Sequence, residues 1–140
     1  MIEISCDRTR LDVPLIHAFL ANESTWAIGI SLPLLQKALD NSLCFGAYEG
    51  GKQIGFARVV TDYATFGYLC DVLVPSEERG RGISRLLMDA VTAYPDLQGL
   101  RRFTLVTSSA APLYAKYGWT PLHVPAAHME RYDPDIYKRS

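Results

Sequence analysis

The sequence predicts a single α/β domain over residues 1–140, with a mixed, mostly antiparallel sheet of six or seven strands and helices on both faces. Three observations carry this. Tyr68–Val74 (YLCDVLV) is a near-continuous apolar run rich in β-branched side chains, and reads as a strand buried on both faces. From Gly82 to Ala93 the period turns helical, with Ile83, Leu86, Leu87, Ala90, Val91 and Tyr94 on one stripe. Arg102–Thr107 (RFTLVT) is a further strand, and a strand–helix–strand crossover places it parallel to and beside the first.

In chain order, Ile2–Cys6 alternates apolar and polar and reads as a short edge strand. Leu11–Ala21 is a helix, with Asp12 as N-cap candidate and Pro14 in its first turn. Asn22–Ser31 has no clear period and carries Trp26. Leu32–Leu39 is a second short helix, capped by Ser31. Ser42–Tyr48 and Gln53–Thr61 pair through a tight Gly50-Gly51 turn, and Tyr63–Thr65 turns the chain into Phe66–Val74. Pro75 cannot donate to a ladder and ends that strand. After Arg102–Thr107, Ser109 can cap a short helix that has Pro112 in its first turn and is stopped by Gly118.

Composition excludes several classes. A chain of 140 residues can bury roughly two-thirds of its unfolded surface, and 49% apolar with 21% charged residues is an ordinary globular mix. A net charge of −1 supplies no field for nucleic acid or anionic lipid. No apolar run is long enough for a membrane span, and the N-terminus lacks the basic and apolar regions of a signal peptide. Cys6, Cys44 and Cys70 lack metal-type spacing, and reduced thiols in a cytoplasmic protein are expected. His17, His123 and His128 form no cluster, so no metal is expected.

Glu77-Glu78-Arg79-Gly80-Arg81-Gly82 lies between the buried strand and the helix. Two glycines let the backbone approach a ligand closely, and the free N–H groups of a new helix point into the same loop, which together make a phosphate cradle. A Walker A loop is excluded because no lysine follows, and a dinucleotide fingerprint requires Gly-x-Gly-x-x-Gly in a larger domain. A glycine-rich turn with solvated arginines is the plain alternative. The loop resembles the pyrophosphate loop of the GNAT N-acetyltransferase superfamily, which holds coenzyme A there. The superfamily pattern is Arg/Gln-x-x-Gly-x-Gly/Ala; read from Arg79, its last place holds Ser84, which adds a hydroxyl near the phosphates.

A second stretch resembles the same superfamily. Its Leu-Tyr-x-x-x-Gly-Phe signature stands here as Leu113-Tyr114-Ala115-Lys116-Tyr117-Gly118-Trp119. In the family the tyrosine often protonates the departing thiolate, which implies that role for Tyr114; a packed ring with a wet hydroxyl is the alternative. A common asparagine seven residues earlier is replaced by Thr107, with Ser108 beside it, and either hydroxyl can take over part of its coenzyme contact. The resemblance runs from about Leu11 to Met129, and the stretch from Ser42 to Val72 looks like small, single-domain bacterial members. It implies coenzyme contacts at Val72, Leu73, Val74, Arg79, Gly80, Arg81, Gly82, Ile83, Ser84, Arg85, Thr107 and Ser108.

Acyl transfer from a thioester to an amine has its own requirements. Helix N–H groups and Arg79, Arg81 or Arg85 offer charge to a pyrophosphate. The Val72–Val74 backbone, if it splays from its parallel neighbour, can pair with an amide-rich pantetheine arm, and a strand N–H can face the thioester oxygen. A lysine-like amine of pKa about 10.4 is less than ~0.1% free base at pH 7, so a proton must be removed. Asp71, a carboxylate in an apolar strand, either faces the acceptor as base or is a structural acceptor for backbone N–H groups or an arginine such as Arg58. Tyr68 is a candidate pocket wall. Trp26 either plugs the gap between the first two helices or lines the acceptor pocket. Cys70 has no recognisable base partner, and a small buried hydrophobe is its expected role.

The activity implied is acetyl-CoA-dependent N-acetylation of a small-molecule or peptide amine by direct transfer. A non-catalytic acyl-CoA-binding module is the alternative, and another nucleotide in the cradle is a third. The resemblance also admits a homodimer, because C-terminal edge strands often pair in such folds. Acceptor specificity is expected from Asn22–Ser31 and Pro121–Tyr132.

Overall fold

The computed structural model of the protein describes residues 1–139. Strand β1 (Glu3–Ser5) lies at one edge of the sheet, followed by α1 (Val13–Asn22) and α2 (Leu32–Asp40). Both helices begin as their sequences dictate. The Asp12 carboxylate accepts from Leu15 N at 3.1 Å, the Ser31 hydroxyl accepts from Leu34 N at 3.3 Å, and a proline sits in each first turn. Strands β2 (Leu43–Glu49), β3 (Lys52–Thr61) and β4 (Phe66–Leu73) form a meander. Helix α3 (Ile83–Ala93) crosses over to β5 (Arg102–Leu105), and α4 (Ala111–Ala115) follows.

The sheet order is β1-β2-β3-β4-β5, with three antiparallel pairings and β4–β5 parallel, as the strand–helix–strand crossover predicts. Five strands stand where six or seven are expected. The missing ones would lie after Trp119, where Pro121, Pro125 and Pro134 remove ladder donors and no strand forms among the described residues.

Helices cover both faces. Against α3, the sheet packs Phe45, Val59 and Leu69 on Leu87, Met88 and Val91. Against α1 and α2, it packs Cys44, Phe56 and Leu73 on Ile16, Leu20, Leu35 and Leu39. Each such fully buried side chain stabilises the fold by roughly 1.5–3 kcal/mol. The buried stripe of α3 differs from the expected one by a fraction of a turn: Met88 is buried and Leu86 is exposed. Gly55 allows the close docking, because a Cβ there would stand 2.7 Å from Ile83 Cγ2.

Strand β4 is only partly the doubly buried strand that its run of apolar residues predicts. Leu69 and Leu73 are buried, whereas Tyr68, Cys70, Asp71 and Val72 are half-buried. The reason is tertiary. Helices α1 and α2 cover the β2–β3 side of one face and leave the β4–β5 side open.

Candidate active site

Two irregularities in β4 prepare the site. Its pairing with β5 runs from Phe66–Arg102 to Leu69–Leu105 and stops, so Cys70–Leu73 has no β5 partner. On the β3 side, Phe56 pairs with Leu73 and Arg58 with Cys70, so β4 carries one residue more than β3 over this interval. That extra residue is a β-bulge, and Asp71 within it has φ of 52°, a left-handed conformation that Asp tolerates better than most residues. A strained non-glycine backbone of this kind persists only where surrounding contacts hold it.

Asp71 is held on both sides. Its Oδ1 accepts from the Trp26 indole N–H at 2.8 Å, and its Oδ2 accepts from Arg58 Nε at 2.8 Å. Arg58 in turn donates from Nη1 to Ser42 Oγ at 3.1 Å. The ion pair is largely out of water, the side chains being 18% and 9% exposed, and the field of Asp71 raises the Arg58 pKa against the opposing effect of burial. Of the two structural partners considered for Asp71, the arginine is present; Trp26, from the loop between α1 and α2, is one the sequence did not indicate. Burial raises the pKa of Tyr68, on the same face, with Cys70 and Asp71 adding to the rise and Arg58 opposing it. The Cys70 thiol is pushed up to about 12, chiefly by burial, which leaves it a poor nucleophile.

Beyond the free edge of β4 lies the glycine loop. Gly80 and Gly82 have φ of 81° and 76°, and a Cβ at either would meet nothing within 4 Å, so backbone conformation and not crowding selects glycine here. Gly82 is the N-cap of α3, and the helix therefore begins without a capping side chain. The N–H groups of Ile83, Ser84 and Arg85 in its first turn are open to a ligand. A cavity of about 200 Å³ is formed there, lined by Val74, Glu78, Arg79, Gly80, Gly82, Ile83, Ser84, Arg85 and Leu113. Arg79 donates from Nε to Val74 O at 3.3 Å. Arg81, expected with the phosphate-facing arginines, is turned elsewhere: its guanidinium binds Glu49 at 2.7 Å and Glu78 at 3.1 Å, and it does not line the cavity. Glu78 and Leu113 belong to the lining although the loop pattern did not mark them.

Tyr114, on α4, is 9% exposed and packs its ring edge-on against Trp119, with centroids 6.3 Å apart. Burial raises its pKa above the ordinary tyrosine value, and among the described residues no protein group accepts from its hydroxyl. The Thr107 hydroxyl accepts from Ala110 N at 2.9 Å in the turn before α4, whose N-cap is Ala110 with no capping side chain, so Ser109 does not cap it as expected; Ser108 is exposed beside Thr107. Thr107 and Tyr114 both line a larger cavity of about 1040 Å³ along the β5 edge.

The half-open parallel strand pair and the glycine loop at a helix N-terminus follow one another along β4 and α3, which is the arrangement that the GNAT resemblance implies. The comparisons agree. The family model for the acetyltransferase (GNAT) domain matches residues 40–121. A Gibberella zeae protein named "Putative acetyltransferase" is 32% identical, over 81% of this chain and 75% of its own length. Among solved structures, a Xanthomonas campestris pv. campestris protein described as belonging to the GNAT family is 55% identical, with a TM-score of 0.96 over 98% of this chain and 96% of that one. A Clostridium acetobutylicum protein, crystallised with acetyl-CoA, shares the fold at 17% identity and a TM-score of 0.68, over 94% of this chain and 96% of that one. The chain belongs to the GNAT acetyltransferase family. No helix among the described residues is long and apolar enough to cross a membrane.

Proposed function

We propose that the protein is an acetyl-CoA-dependent N-acetyltransferase, which moves the acetyl group directly to a primary amine of a small molecule or an exposed peptide. The reading rests above all on the free edge of β4, which opens where β5 pairing stops at Leu69 and leads straight into the glycine loop. Acetyl-CoA fits these residues, since the open space at Gly80 and Gly82 admits a pyrophosphate close to the backbone. Arg79 and Arg85 with the first-turn N–H groups of α3 hold its phosphates, and the backbone of Val72, Leu73 and Val74 holds its pantetheine amides. When bound it supplies the acetyl thioester.

The rest falls to the chain's own groups. A β4 backbone N–H donates to the thioester oxygen and stabilises the charge that develops there. The Tyr114 hydroxyl donates its proton to the departing sulfur, and its raised pKa keeps that proton in place at neutral pH. Asp71, with both oxygens engaged, acts as a positioning residue for Trp26, while bulk water at the open acceptor face takes the proton that the amine loses. Trp26 and Tyr68 line the acceptor side.

Release of CoA from acetyl-CoA, measured with a mixed panel of amines, tests the reading. Amine-dependent release is expected. Tight acetyl-CoA binding with no release under any amine would make the protein a sensor module instead. A rise in melting temperature with ATP or NAD but not with acetyl-CoA would overturn the coenzyme assignment.

A further inference from the structure

We infer, on the basis of the acceptor site proposed above, that the acceptor is a monoamine with an aromatic or flat apolar body, which lies against the indole of Trp26, and is not a polycation. The first observation is that Trp26 is 51% exposed yet fixed. A half-exposed indole on a loop would ordinarily fold down onto the nearest apolar surface. Here a relay through Asp71 and Arg58 to Ser42, drawn from β4, β3 and the α2–β2 junction, holds its N–H end. The ring is thus presented at little further entropic cost to a ligand, as a preorganised contact surface is.

The second observation is the sheet surface that leads along β3 and β4 away from Asp71. Cross-strand register places Val60 opposite Tyr68, and Phe66 lies two residues before Tyr68 on the same face of β4. Val60 and Phe66 are 40% and 41% exposed on the part of the sheet that α1 and α2 leave open. Together with Tyr68 they make an apolar and aromatic surface that suits a flat carbon skeleton.

The third observation is charge. A polyamine or an aminoglycoside needs several unpaired carboxylates. The carboxylate in contact with Trp26 has both oxygens taken and its charge balanced by Arg58. Asp62, at the end of β3, is spent on its own turn, accepting from the N–H groups of Ala64, Thr65 and Phe66 and from the Thr65 hydroxyl. Arg102 pairs with Phe66 across the parallel ladder and adds a positive charge on the same face. Neither Asp71 nor Asp62 is thus left free to take a second or third ammonium.

The test separates binding from transfer. Calorimetry on CoA-saturated protein compares 2-phenylethylamine with n-propylamine, spermidine and kanamycin. The expected result is 2-phenylethylamine binding about tenfold more tightly than the other three, the scale of one aromatic contact. Trp26→Ala should remove most of that preference and Phe66→Ala part of it, with both variants melting near wild type; Trp26→Leu replaces Trp26→Ala if that variant unfolds early. Tighter binding of spermidine or kanamycin, no measurable 2-phenylethylamine binding, or an unchanged preference in Trp26→Ala would overturn the inference. Binding of 2-phenylethylamine through Trp26 without CoA release from acetyl-CoA would uphold it and sink the transferase reading instead.

Discussion

The two sides of the site are built from different material. The proposed coenzyme side consists of backbone: a strand edge, two left-handed glycines and the first turn of α3, all within Cys70–Arg85. The proposed acceptor side consists of side chains brought together from afar, Trp26 to Asp71 across 45 residues and Arg58 to Ser42 across 16. A ligand gripped by main-chain groups needs only local conformation, so few residue types are prescribed and they stand close together. A surface shaped by side-chain relays depends on the whole fold being in place, and substitution at any link reshapes it.

The largest expected effect is at the proposed acid. Tyr114→Phe keeps the buried ring but removes the proton for the departing sulfur, so kcat should fall by about 10²–10⁴ with the KM for acetyl-CoA nearly flat. Retention of more than about a third of wild-type turnover, with chemistry rate-limiting, would assign the acid elsewhere. The pH profile sharpens this. Burial raises the folded-state pKa of Tyr114, so its proton, and the stability tied to keeping it, is fully present below the unfolded value of about 10 and is lost only as pH rises through the raised one. Any alkaline limb of kcat from Tyr114 therefore lies above pH 10, and a limb near pH 8–9 that disappears in Tyr114→Phe would contradict the assignment.

Next in size is the acceptor-side relay. Arg58→Ala leaves the Asp71 carboxylate in a largely buried site without its counter-charge and should cost about 3 kcal/mol in chemical denaturation. It should also free Trp26, seen as a change in indole fluorescence. Acetyl-CoA affinity should weaken as well, because Asp71 is the bulge residue directly before Val72 and its release disturbs the β4 edge. A stability loss below about 0.5 kcal/mol, the scale of an ordinary surface change, would mean that the relay does not hold the bulge.

On the coenzyme side the arginines should divide. Arg79→Ala or Arg85→Ala should weaken acetyl-CoA binding by about 1–3 kcal/mol in calorimetry, as hydrogen bonds to charged groups do. Arg81→Ala should stay within about 0.5 kcal/mol, because its guanidinium is engaged by Glu49 and Glu78 on an exposed surface. The reverse order would show that the cradle is charged from the other side.

At Gly82 the effect on stability is smaller than at Arg58. A Cβ meets nothing within 4 Å, but the left-handed φ should cost about 1–2 kcal/mol, and Gly82→Val should lose coenzyme binding while remaining folded. Unchanged acetyl-CoA affinity in a folded Gly82→Val would end the cradle assignment.

The sequence by itself determined the parts whose physics is local. Asp12 and Ser31 cap their helices, and the meander turns at Gly50-Gly51. Period alone placed α3 between two parallel strands, to within about a residue at its ends, and two short patterns marked the glycine loop and Tyr114. Its strand count ran ahead of the chain, because prolines after Trp119 remove the donors that further strands would need. Only the tertiary structure decided what depends on neighbours far along the chain. It chose Trp26 as the partner of Asp71, turned Arg81 to Glu49, and moved the buried stripe of α3 onto Met88. It also left β4 only partly covered, with Tyr68, Cys70 and Asp71 half-buried. A residue's own preferences fix turns, caps and periodicity, while the partner of a charged or aromatic side chain is set by which surfaces the finished fold brings within about 3 Å.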